Sequence, residues 1–592
     1  MVFLGKLALG RQSKIFTYLG LLLISATFPW AFSYAVTPPE ESPVKKEINA
    51  IITSRQNPYL KQSDFSNRTE DLDALYKLSD YQLLWLAGSN SAKNTHEALD
   101  LLADAPNQGL VATDYDTDTL RNKSTTALAL PTTSYKELAL YDTALSITLL
   151  RYLHDLHYGR VNPHGINFNL QLREKKSLDI PALIKDSIAL NTVSTLPILT
   201  EPKLPQYQKL KSALATYRQL LAKSPAFKLA VNGKLRPGEQ HPQIVELSRF
   251  LASIGDIAEK DVVASTEKNP KYSPELVKGI KNFQQRHGLG ADGTIGPGTV
   301  AALNEPLSKR VNQIELAMER LRWLPELDNI NRSIIVNIPA FQLWAIDDAD
   351  GDNPNIMNMR VVVGKALKNQ TPILMAQMSF IEFMPYWNVP KNILKDEILP
   401  KLTRNPGYLS SQNMEMVSSY ANSAKPSPVN KDSIEKLRKG LLRVRQRPGN
   451  KNSLGKVKFI FPNKDDVYLH DTPANSLFAK SRRDFSHGCV RVENPKALAE
   501  FALKNQGKWN ADTVQKAMKN PANQRVVLQQ PIPVLFFYTT AFVDQHNNLA
   551  FYPDIYGHDD ILIEALKKNE DVSDQTIFVS TNAETSTPEI SP

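Results

Sequence analysis

The sequence of 592 residues contains a single cysteine, Cys489. One cysteine cannot form an internal disulfide, a four-cysteine zinc site or an iron–sulfur cluster. After the N-terminal segment, no second apolar run of membrane-spanning length occurs. Hydrophobic residues make up 42% and charged residues 22% of the chain, a balance that excludes a mainly disordered, collagen-like or multi-span membrane protein. A globular protein of several domains is therefore expected, with one thiol whose role must be explained.

Acidic residues are missing from the N-terminus, where none precedes Glu40. Three basic residues come before an apolar run over 15–31, which is the layout of a secretory signal peptide. Cleavage after Ala35 would define a signal peptide over 1–35 and deliver the protein to the periplasm, a compartment that suits an exported chain without disulfides. The alternative is an uncleaved membrane anchor, and only then is a membrane partner expected.

The charge balance is basic, with a net charge of +9 and a pI of about 9.1. Such basicity points only weakly to anionic partners, of which nucleic acid is one class. The most basic stretch, 436–447, belongs to a polar region rich in proline, serine and asparagine. It is interpreted as a solvated face, so no nucleic-acid partner is expected.

The first part of the mature chain is predicted to be helical. A polar, proline-containing linker is expected over 36–70, followed by a helical scaffold domain over 71–238 in which apolar residues recur at helical spacing. His154 and His157 lie three positions apart and could in principle bind a metal. Because no third ligand stands nearby, a structural role is favoured.

A compact helical unit follows over 239–305, and a connecting helix over 306–330 leads out of it. Ser273 and Pro274 have the residue types of a helix N-cap and first turn, and Gly288 is placed to end that helix. The unit resembles the peptidoglycan-binding domain type 1 through a set of short motifs: Phe283-Gln284, His287-Gly288-Leu289, Asp292-Gly293 and Ile295-Gly296.

Strand-like sequence dominates the region 331–566, which carries a polar insertion over 391–450 interpreted as a lid, and a disordered tail is expected over 567–592. An acidic run from Asp347 to Asp352 fails the spacing of an EF-hand loop and is interpreted as a hairpin turn.

The chemistry is expected around Cys489, within the run Ser486-His487-Gly488-Cys489-Val490-Arg491. His470 ends the preceding strand-like segment and supplies the base or cation that a thiol needs to become reactive. Gly488 permits a sharp turn that can aim backbone amides at an oxyanion. Arg491 is a candidate to hold a substrate carboxylate.

These residues resemble the YkuD-type L,D-transpeptidase catalytic domain, whose pattern is a histidine followed by Ser/Thr-His-Gly-Cys. Further stretches agree: Val363-Gly364-Lys365, Thr371-Pro372, Pro385-Tyr386-Trp387-Asn388-Val389-Pro390 and Asp554-Ile555-Tyr556-Gly557. The order of parts resembles the large YcbB-like branch of that family. The resemblance implies a multidomain α+β protein: a helical scaffold, a small three-helix peptidoglycan-binding domain and a mainly-β catalytic domain with an inserted helical cap.

The resemblance also implies an activity that needs no cofactor or metal. Cys489 would attack a tetrapeptide stem of peptidoglycan, release D-alanine and leave a thioester, and the amine of a second stem would then form a 3→3 cross-link. His470 would carry the protons, oriented by a backbone carbonyl. The remaining candidates for the substrate and oxyanion site are Tyr468, Trp387, Ser486, His487, Gly488 and Arg491, with a structural role favoured for His487. Carbapenems would acylate Cys489.

The partners implied are donor and acceptor stem peptides, with other cell-wall enzymes as further candidates. Three alternatives remain open at this point. A zinc site could form from His470, His487 and Cys489. A carboxypeptidase would use water as the acceptor on the same fold. A wall-bound scaffold would have no activity.

Overall fold

The computed structural model describes residues 42–568, except 167–169, 171–172, 174–176, 224–226, 269, 326–331, 348–354, 505 and 545. The predicted signal peptide and tail lie outside the described residues, apart from 567–568, and so does the tip of the predicted acidic hairpin. No helix in the described part of the chain is both long enough and apolar enough to cross a membrane.

The described part of the N-terminal region contains eight α-helices. They are α1 (Pro43–Ser54), α2 (Thr69–Lys77), α3 (Ser91–Ala103), α4 (Thr117–Leu128), α5 (Tyr135–Tyr158), α6 (Ile180–Leu190), α7 (Leu196–Thr200) and α8 (Pro205–Lys223). Helix α5 is buried on nearly all sides and forms the axis on which the other scaffold helices pack. The prediction of a helical scaffold is therefore confirmed.

The predicted linker is wrong over its described part. Residues 43–54 form helix α1, and Ile48, Ile51 and Ile52 are buried in the scaffold core. Their spacing of three and four positions places them on one helix face, and the nearby prolines obscured that signal. The scaffold core therefore begins well before residue 71.

The small helical unit contains α9 (Ile244–Ser253), α10 (Pro274–Arg286) and α11 (Pro297–Leu303). Ser273 caps α10 by accepting a hydrogen bond from the Leu276 N–H at 3.4 Å. At the other end, Gly288 has φ +66°, and the N–H groups of Gly288 and Leu289 donate to earlier carbonyls as in a Schellman cap. The unit also begins earlier than predicted, because Leu229 and Leu235 belong to its core.

Helix α12 (Leu307–Arg322) does more than connect two domains. It packs with α8 against the β-domain, so Tyr207, Leu210 and Leu214 of α8 belong to the catalytic region's core and not to the scaffold core. Buried Arg320 forms an ion pair with Asp559 at 2.7 Å.

The C-terminal region is built on a nine-stranded sheet of order β10-β3-β11-β9-β8-β4-β12-β1-β2. The strands of this region are β1 (Arg332–Asn337), β2 (Gln342–Asp347), β3 (Asn355–Gly364), β4 (Leu374–Phe383), β5 (Trp387–Asn388), β6 (Met414–Val417), β7 (Arg443–Gln446), β8 (Val457–Ile460), β9 (Leu469–His470), β10 (Asp484–Ser486), β11 (Val490–Val492), β12 (Gln524–Phe537), β13 (Ala541–Val543) and β14 (Leu549–Phe551). Because β3 also pairs with β2, the sheet closes on itself.

Seven helices accompany these strands. They are α13 (Lys391–Ile393), α14 (Leu399–Arg404), α15 (Tyr408–Ser411), α16 (Lys431–Arg438), α17 (Pro495–Ala502), α18 (Ala511–Ala517) and α19 (His558–Lys567). A π-helical turn, Leu394–Ile398, joins α13 to α14.

The insertion was predicted to be a helical cap. It also contains a small sheet of its own, with the order β5-β7-β6. Its apolar core includes Val389, Leu402, Met416 and Val444 and is separate from the core of the large sheet. The short alternating strands Met414–Val417 and Arg443–Gln446 explain the difference, because each is too short to stand out in a polar sequence.

Candidate active site

The site lies on one face of the large sheet, and the register of the strands determines which side chains share it. A row of directly paired residues runs across five strands: Val526, Ile381, Phe459, Leu469 and Val490. All five are at most 9% exposed, so this row faces the hydrophobic core. Because side chains alternate between faces, the neighbouring row must lie on the opposite face of the sheet, away from that core.

That outward row is charged, and it contains the predicted base. Its members, again directly paired, are Arg525, Glu382, Lys458, His470 and Arg491. Two residues before His470 lies Tyr468, and two before Arg491 lies Cys489. The parallel pairing of β9 with β11 thus brings the predicted histidine and cysteine to the same edge of the same face.

His470 is held by its own strand end. Its Nδ1 lies 2.5 Å from the backbone carbonyl of Asp471, which can only accept, so Nδ1–H is the donor and Nε2 is left as the basic nitrogen. The Asp471 carboxylate instead accepts the backbone N–H groups of Lys456 and Thr472, at 2.7 and 2.6 Å. The expectation that a carbonyl orients the imidazole agrees with this geometry.

The Cys489 sulfur is surrounded by the strand that precedes His470. The backbone N–H and the hydroxyl of Tyr468 act on the thiol to lower its pKa, and the sulfur lies 3.9 Å from the carbonyl oxygen of Asp466. Asp466 adopts φ +52°, and the Asn463 side chain fixes this turn by donating to the carbonyls of Phe461 and Val467, both at 2.7 Å.

The turn before Cys489 is closed by Ser486. Its hydroxyl donates to the Cys489 carbonyl at 2.6 Å and accepts the Gly488 N–H at 3.2 Å. Gly488 has φ +116°, a conformation in which any side chain is strained. Ser486 is therefore a structural clamp in this geometry, and the Gly488 amide that the sequence suggested for an oxyanion already has an acceptor.

A second brace holds the same turn from the far side of the sheet. The Thr371 hydroxyl donates to the Gly488 carbonyl at 2.7 Å and accepts the Gly364 N–H at 2.9 Å. The Tyr556 hydroxyl donates to the Gly364 carbonyl at 2.7 Å and accepts the Thr371 N–H at 3.1 Å. A Cβ at Gly364 would lie 1.9 Å from the Asn369 carbonyl oxygen, so only glycine fits there.

Electrostatics make the resting pair neutral. Burial raises the pKa of the Cys489 thiol, although Tyr468, Lys458 and Arg491 act in the opposite direction. Burial and the charge of Arg491 lower the pKa of His470 to about 3. At neutral pH the site therefore holds a thiol and a neutral imidazole, and the thiolate forms only when a proton is removed.

Arg491 is available to a ligand on two grounds. Its charge acts on both Cys489 and His470, which places the guanidinium at the site. Within the described part of the chain, its buried Nε has no hydrogen-bond partner. An unpaired buried guanidinium nitrogen is costly unless a carboxylate or water occupies it.

Two predicted residues face the insertion. His487 Nε2 lies 2.7 Å from Glu397 Oε1, and Glu397 belongs to the π-helical turn Leu394–Ile398, a feature that often marks functional sites. Trp387 pairs with Gln446 in the insertion's sheet and packs against the insertion's core. The described hydrogen bonds and ring contacts join neither of them to Cys489, so their place at the substrate site stays a prediction.

The metal alternatives find no matching geometry. Among the residues that the structure describes, no group of three or more His, Cys, Asp or Glu side chains is arranged to hold an ion. His157 is buried, with Nδ1 at 2.7 Å from the Thr200 carbonyl, as its favoured structural role requires.

Sequence reasoning missed Lys458. Its ammonium lies 4.0 Å from the centre of the Tyr468 ring, and its charge acts on both His470 and Cys489. Burial lowers the pKa of Lys458, while Glu382 and Cys489 raise it. The sequence did show a lysine within an otherwise apolar strand. It could not show that His470 and Tyr468, which belong to another segment, lie next to that lysine.

Comparison with known families identifies three segments. Residues 331–516 match the YkuD L,D-transpeptidase catalytic domain, residues 70–214 match the Scaffold domain, and residues 240–303 match the family described as "Putative peptidoglycan binding domain". The chain contains a YkuD-type L,D-transpeptidase catalytic domain. The matches to the scaffold and peptidoglycan-binding domains precede it along the chain, in the order that the sequence motifs predicted.

Two individual proteins are similar to this chain. A Haemophilus influenzae protein described as "Putative L,D-transpeptidase" is 33% identical over 257 residues, which are 43% of this chain and 50% of the relative. The chain thus spans about half the length of that curated relative. The solved L,D-transpeptidase from Xylanimonas cellulosilytica is 13% identical and covers 52% of this chain and 100% of its own. Its TM-score is 0.16, too low to carry a structural argument.

The electrostatic role of Lys458 predicts a change in thiol reactivity. Lys458→Met removes a positive charge that favours the thiolate, so the pKa of Cys489 rises further and alkylation slows by roughly five- to tenfold at mildly alkaline pH. The measurement is the pH dependence of the iodoacetamide alkylation rate. Lys464→Met, at an exposed position of the turn that follows strand β8, is the control, and equal rates in both variants would contradict the role of Lys458.

The contact between His487 and Glu397 predicts how the insertion is held. Glu397→Ala removes the only side chain that Nε2 of His487 contacts in the described structure, so backbone amides over 391–404 should exchange hydrogen several-fold faster. Hydrogen–deuterium exchange by mass spectrometry measures this. Glu435→Ala, at an exposed position of the same insertion, should leave exchange in that segment unchanged. Identical exchange in the two variants would show that the contact between His487 and Glu397 does not hold the insertion.

Proposed function

We propose that the protein forms 3→3 cross-links in peptidoglycan through a thioester on Cys489. The observation that carries this proposal is that Cys489 and His470 share one face of the sheet. Tyr468 favours the thiolate form of the sulfur, and the Asp471 carbonyl orients the imidazole through Nδ1. A thiol and an oriented imidazole are the two groups that covalent acyl transfer requires. The catalytic-domain match supplies the reaction class.

The first half-reaction forms the acyl-enzyme. The Cys489 thiol gives its proton to Nε2 of His470 as the sulfur attacks the carbonyl on the L-centre of the third-position diamino acid. The amide C–N bond then breaks, and D-alanine leaves with the proton that His470 returns to its amine. Because the resting pair is neutral, proton removal and attack occur together, which is general-base catalysis.

Substrate binding tunes the base through Arg491. The charge of Arg491 lowers the pKa of His470, and a substrate carboxylate paired with Arg491 would offset that charge. The pKa of His470 then rises toward the operating pH, where a general base is most effective. Arg491 would thus link recognition of the donor to activation of the imidazole.

The second half-reaction regenerates the thiol. The side-chain amine of another stem attacks the thioester carbonyl, His470 takes the amine proton, and the C–S bond breaks as the proton returns to sulfur. Amide formation in this step distinguishes a transpeptidase from a carboxypeptidase, in which water attacks the same thioester. The peptidoglycan-binding domain match favours a polymer acceptor held close by.

The setting follows from the substrate. Peptidoglycan lies outside the cytoplasmic membrane, so the enzyme would work in the periplasm after export by its N-terminal signal. Carbapenems would acylate Cys489 because their strained carbonyl accepts the same sulfur attack.

Loss of the nucleophile should abolish the reaction. Cys489→Ala should lower D-alanine release from a purified disaccharide-tetrapeptide by about 10³-fold or more, and His470→Gln by about 10² to 10⁴. Liquid chromatography with mass spectrometry measures D-alanine, the 3→3 dimer and the tripeptide. Both variants should unfold near the wild-type temperature, since Cys489 is free and forms no disulfide.

The product distribution decides between the candidate functions. A dimer supports transpeptidation, whereas tripeptide alone would show a carboxypeptidase. Carbapenem incubation of the wild type should add the drug's mass at Cys489, and it should add none to Cys489→Ala. D-alanine release that survives in Cys489→Ala would contradict the proposed thioester.

A further inference from the structure

A large cavity lies away from the sulfur, between the peptidoglycan-binding unit and the catalytic domain. Its volume is about 710 Å³, within the range of small-ligand sites. One wall comes from α10 and the turn after it, including Gln285 and Gly290, and the other from the catalytic domain, including Asn358 and Lys480. Neither Cys489 nor His470 lines it.

The catalytic wall carries more positive than negative charge, because Arg360, Lys480 and Arg483 line it together with Asp544. Arg286 and Arg360 also line the cavity, but each has a carboxylate partner, Asp256 at 2.6 Å and Glu493 at 2.9 Å. Among the described ion pairs, Lys480 has none; its ammonium lies 5.0 Å from the centre of the Phe485 ring.

Arg483 adds to this positive charge, which the Glu493 carboxylate offsets in part. Its guanidinium donates to the backbone carbonyls of Lys480, Val361 and Phe341 at 2.7, 3.2 and 3.1 Å. Carbonyls position the group without cancelling its charge. The cavity wall therefore favours an anionic ligand.

Neutral hydrogen-bonding groups line the same space. Gln285 comes from the peptidoglycan-binding unit, whereas Gln342 and Asn358 come from the neighbouring strands β2 and β3. Amide side chains both donate and accept, which suits the hydroxyl and acetamido groups of amino sugars. Cations and amides together match a ligand that combines sugars with carboxylates.

The cavity also touches the chain segment that leads to the nucleophile. Lys480 to Arg483 come directly before strand β10, whose last residue, Ser486, clamps the turn at Cys489. From the other wall, Gly290 approaches so closely that a Cβ there would lie 3.4 Å from Ser481 Oγ. A ligand in the cavity would contact the peptidoglycan-binding unit and this segment at once.

We propose that this cavity binds a disaccharide-peptide unit of peptidoglycan, with a stem carboxylate at Lys480 and Arg483 and the sugars along the amides. The inference extends the proposed function, because it assigns a second subsite that holds the polymer while another stem reacts at Cys489. The enzyme would then recognise a longer stretch of wall than the reacting stem alone.

The test uses the full chain with Cys489→Ala, so that no turnover disturbs binding. A soluble disaccharide-tetrapeptide is titrated by calorimetry into this protein and into versions that also carry Lys480→Glu or Gln285→Trp. Lys480→Glu reverses the charge of one wall, and Gln285→Trp fills the cavity from an exposed position on the other. Each variant should raise the dissociation constant by about tenfold. Lys480→Glu does so by removing a charge-assisted hydrogen bond, and Gln285→Trp by occupying space in the cavity. Lys519→Glu, at an exposed position outside the cavity, should not.

The outcomes separate this inference from the proposed function. Unchanged affinity in both cavity variants, or equal loss in Lys519→Glu, overturns the cavity site. Carbapenem acylation of Cys489 in the same surface variants, with the cysteine restored, reports on the reacting pair alone. If acylation fails in the wild type while the binding differences persist, the thioester chemistry is wrong and the cavity site stands.

Discussion

The parallel pairing of strands β9 and β11 is the constraint on which the active site depends. It sets Leu469 against Val490 on the core face and His470 against Arg491 on the outer face. A slip of one residue would bury the charged row and expose the apolar one. The hydrophobic core therefore maintains the chemistry, because burial of Leu469 and Val490 fixes which way His470 and Cys489 must face.

The turn that carries the sulfur depends on chain segments far apart in sequence. Thr371 holds the Gly488 carbonyl, and Tyr556 holds both Thr371 and Gly364. Tyr556 in turn receives support from Tyr538, whose hydroxyl accepts the Tyr556 N–H at 3.0 Å. The family match ends at residue 516, yet these contacts show that the chain beyond it completes the site.

The sequence predicted the features that depend only on residues close together in the chain. The N-cap at Ser273, the positive φ of Gly488 and the strand ending at His470 each depend on a few neighbouring residues. The roles of Lys458 and Ser486 could not be predicted in this way. Lys458 gains its position from pairing with His470 across strands, and the Ser486 hydroxyl is committed to the turn only once the backbone has folded around it.

The same distinction applies to the packing of helices α8 and α1. Helix α8 has an amphipathic pattern that fits any helical neighbour, and nothing in its spacing tells whether Leu210 packs on the scaffold or on the β-domain. Helix α1 did carry a local signal in Ile48, Ile51 and Ile52, but the composition around it resembled a linker. Long-range packing thus decided what composition and periodicity left open.

The segment from Lys480 to Cys489 connects all these observations. At its start, Ser481 lies close to Gly290 of the peptidoglycan-binding unit, where a Cβ would be 3.4 Å from the Ser481 hydroxyl. Near its end, the His487 side chain contacts Glu397 of the insertion. Between these contacts, Asp484 and Ser486 pair with β3 and fix the segment to the large sheet. Ten residues thus bring two accessory domains into direct contact with the strand and turn that position the nucleophile. The accessory domains therefore adjoin the same short segment whose last turn the Ser486 hydroxyl closes at the Cys489 carbonyl.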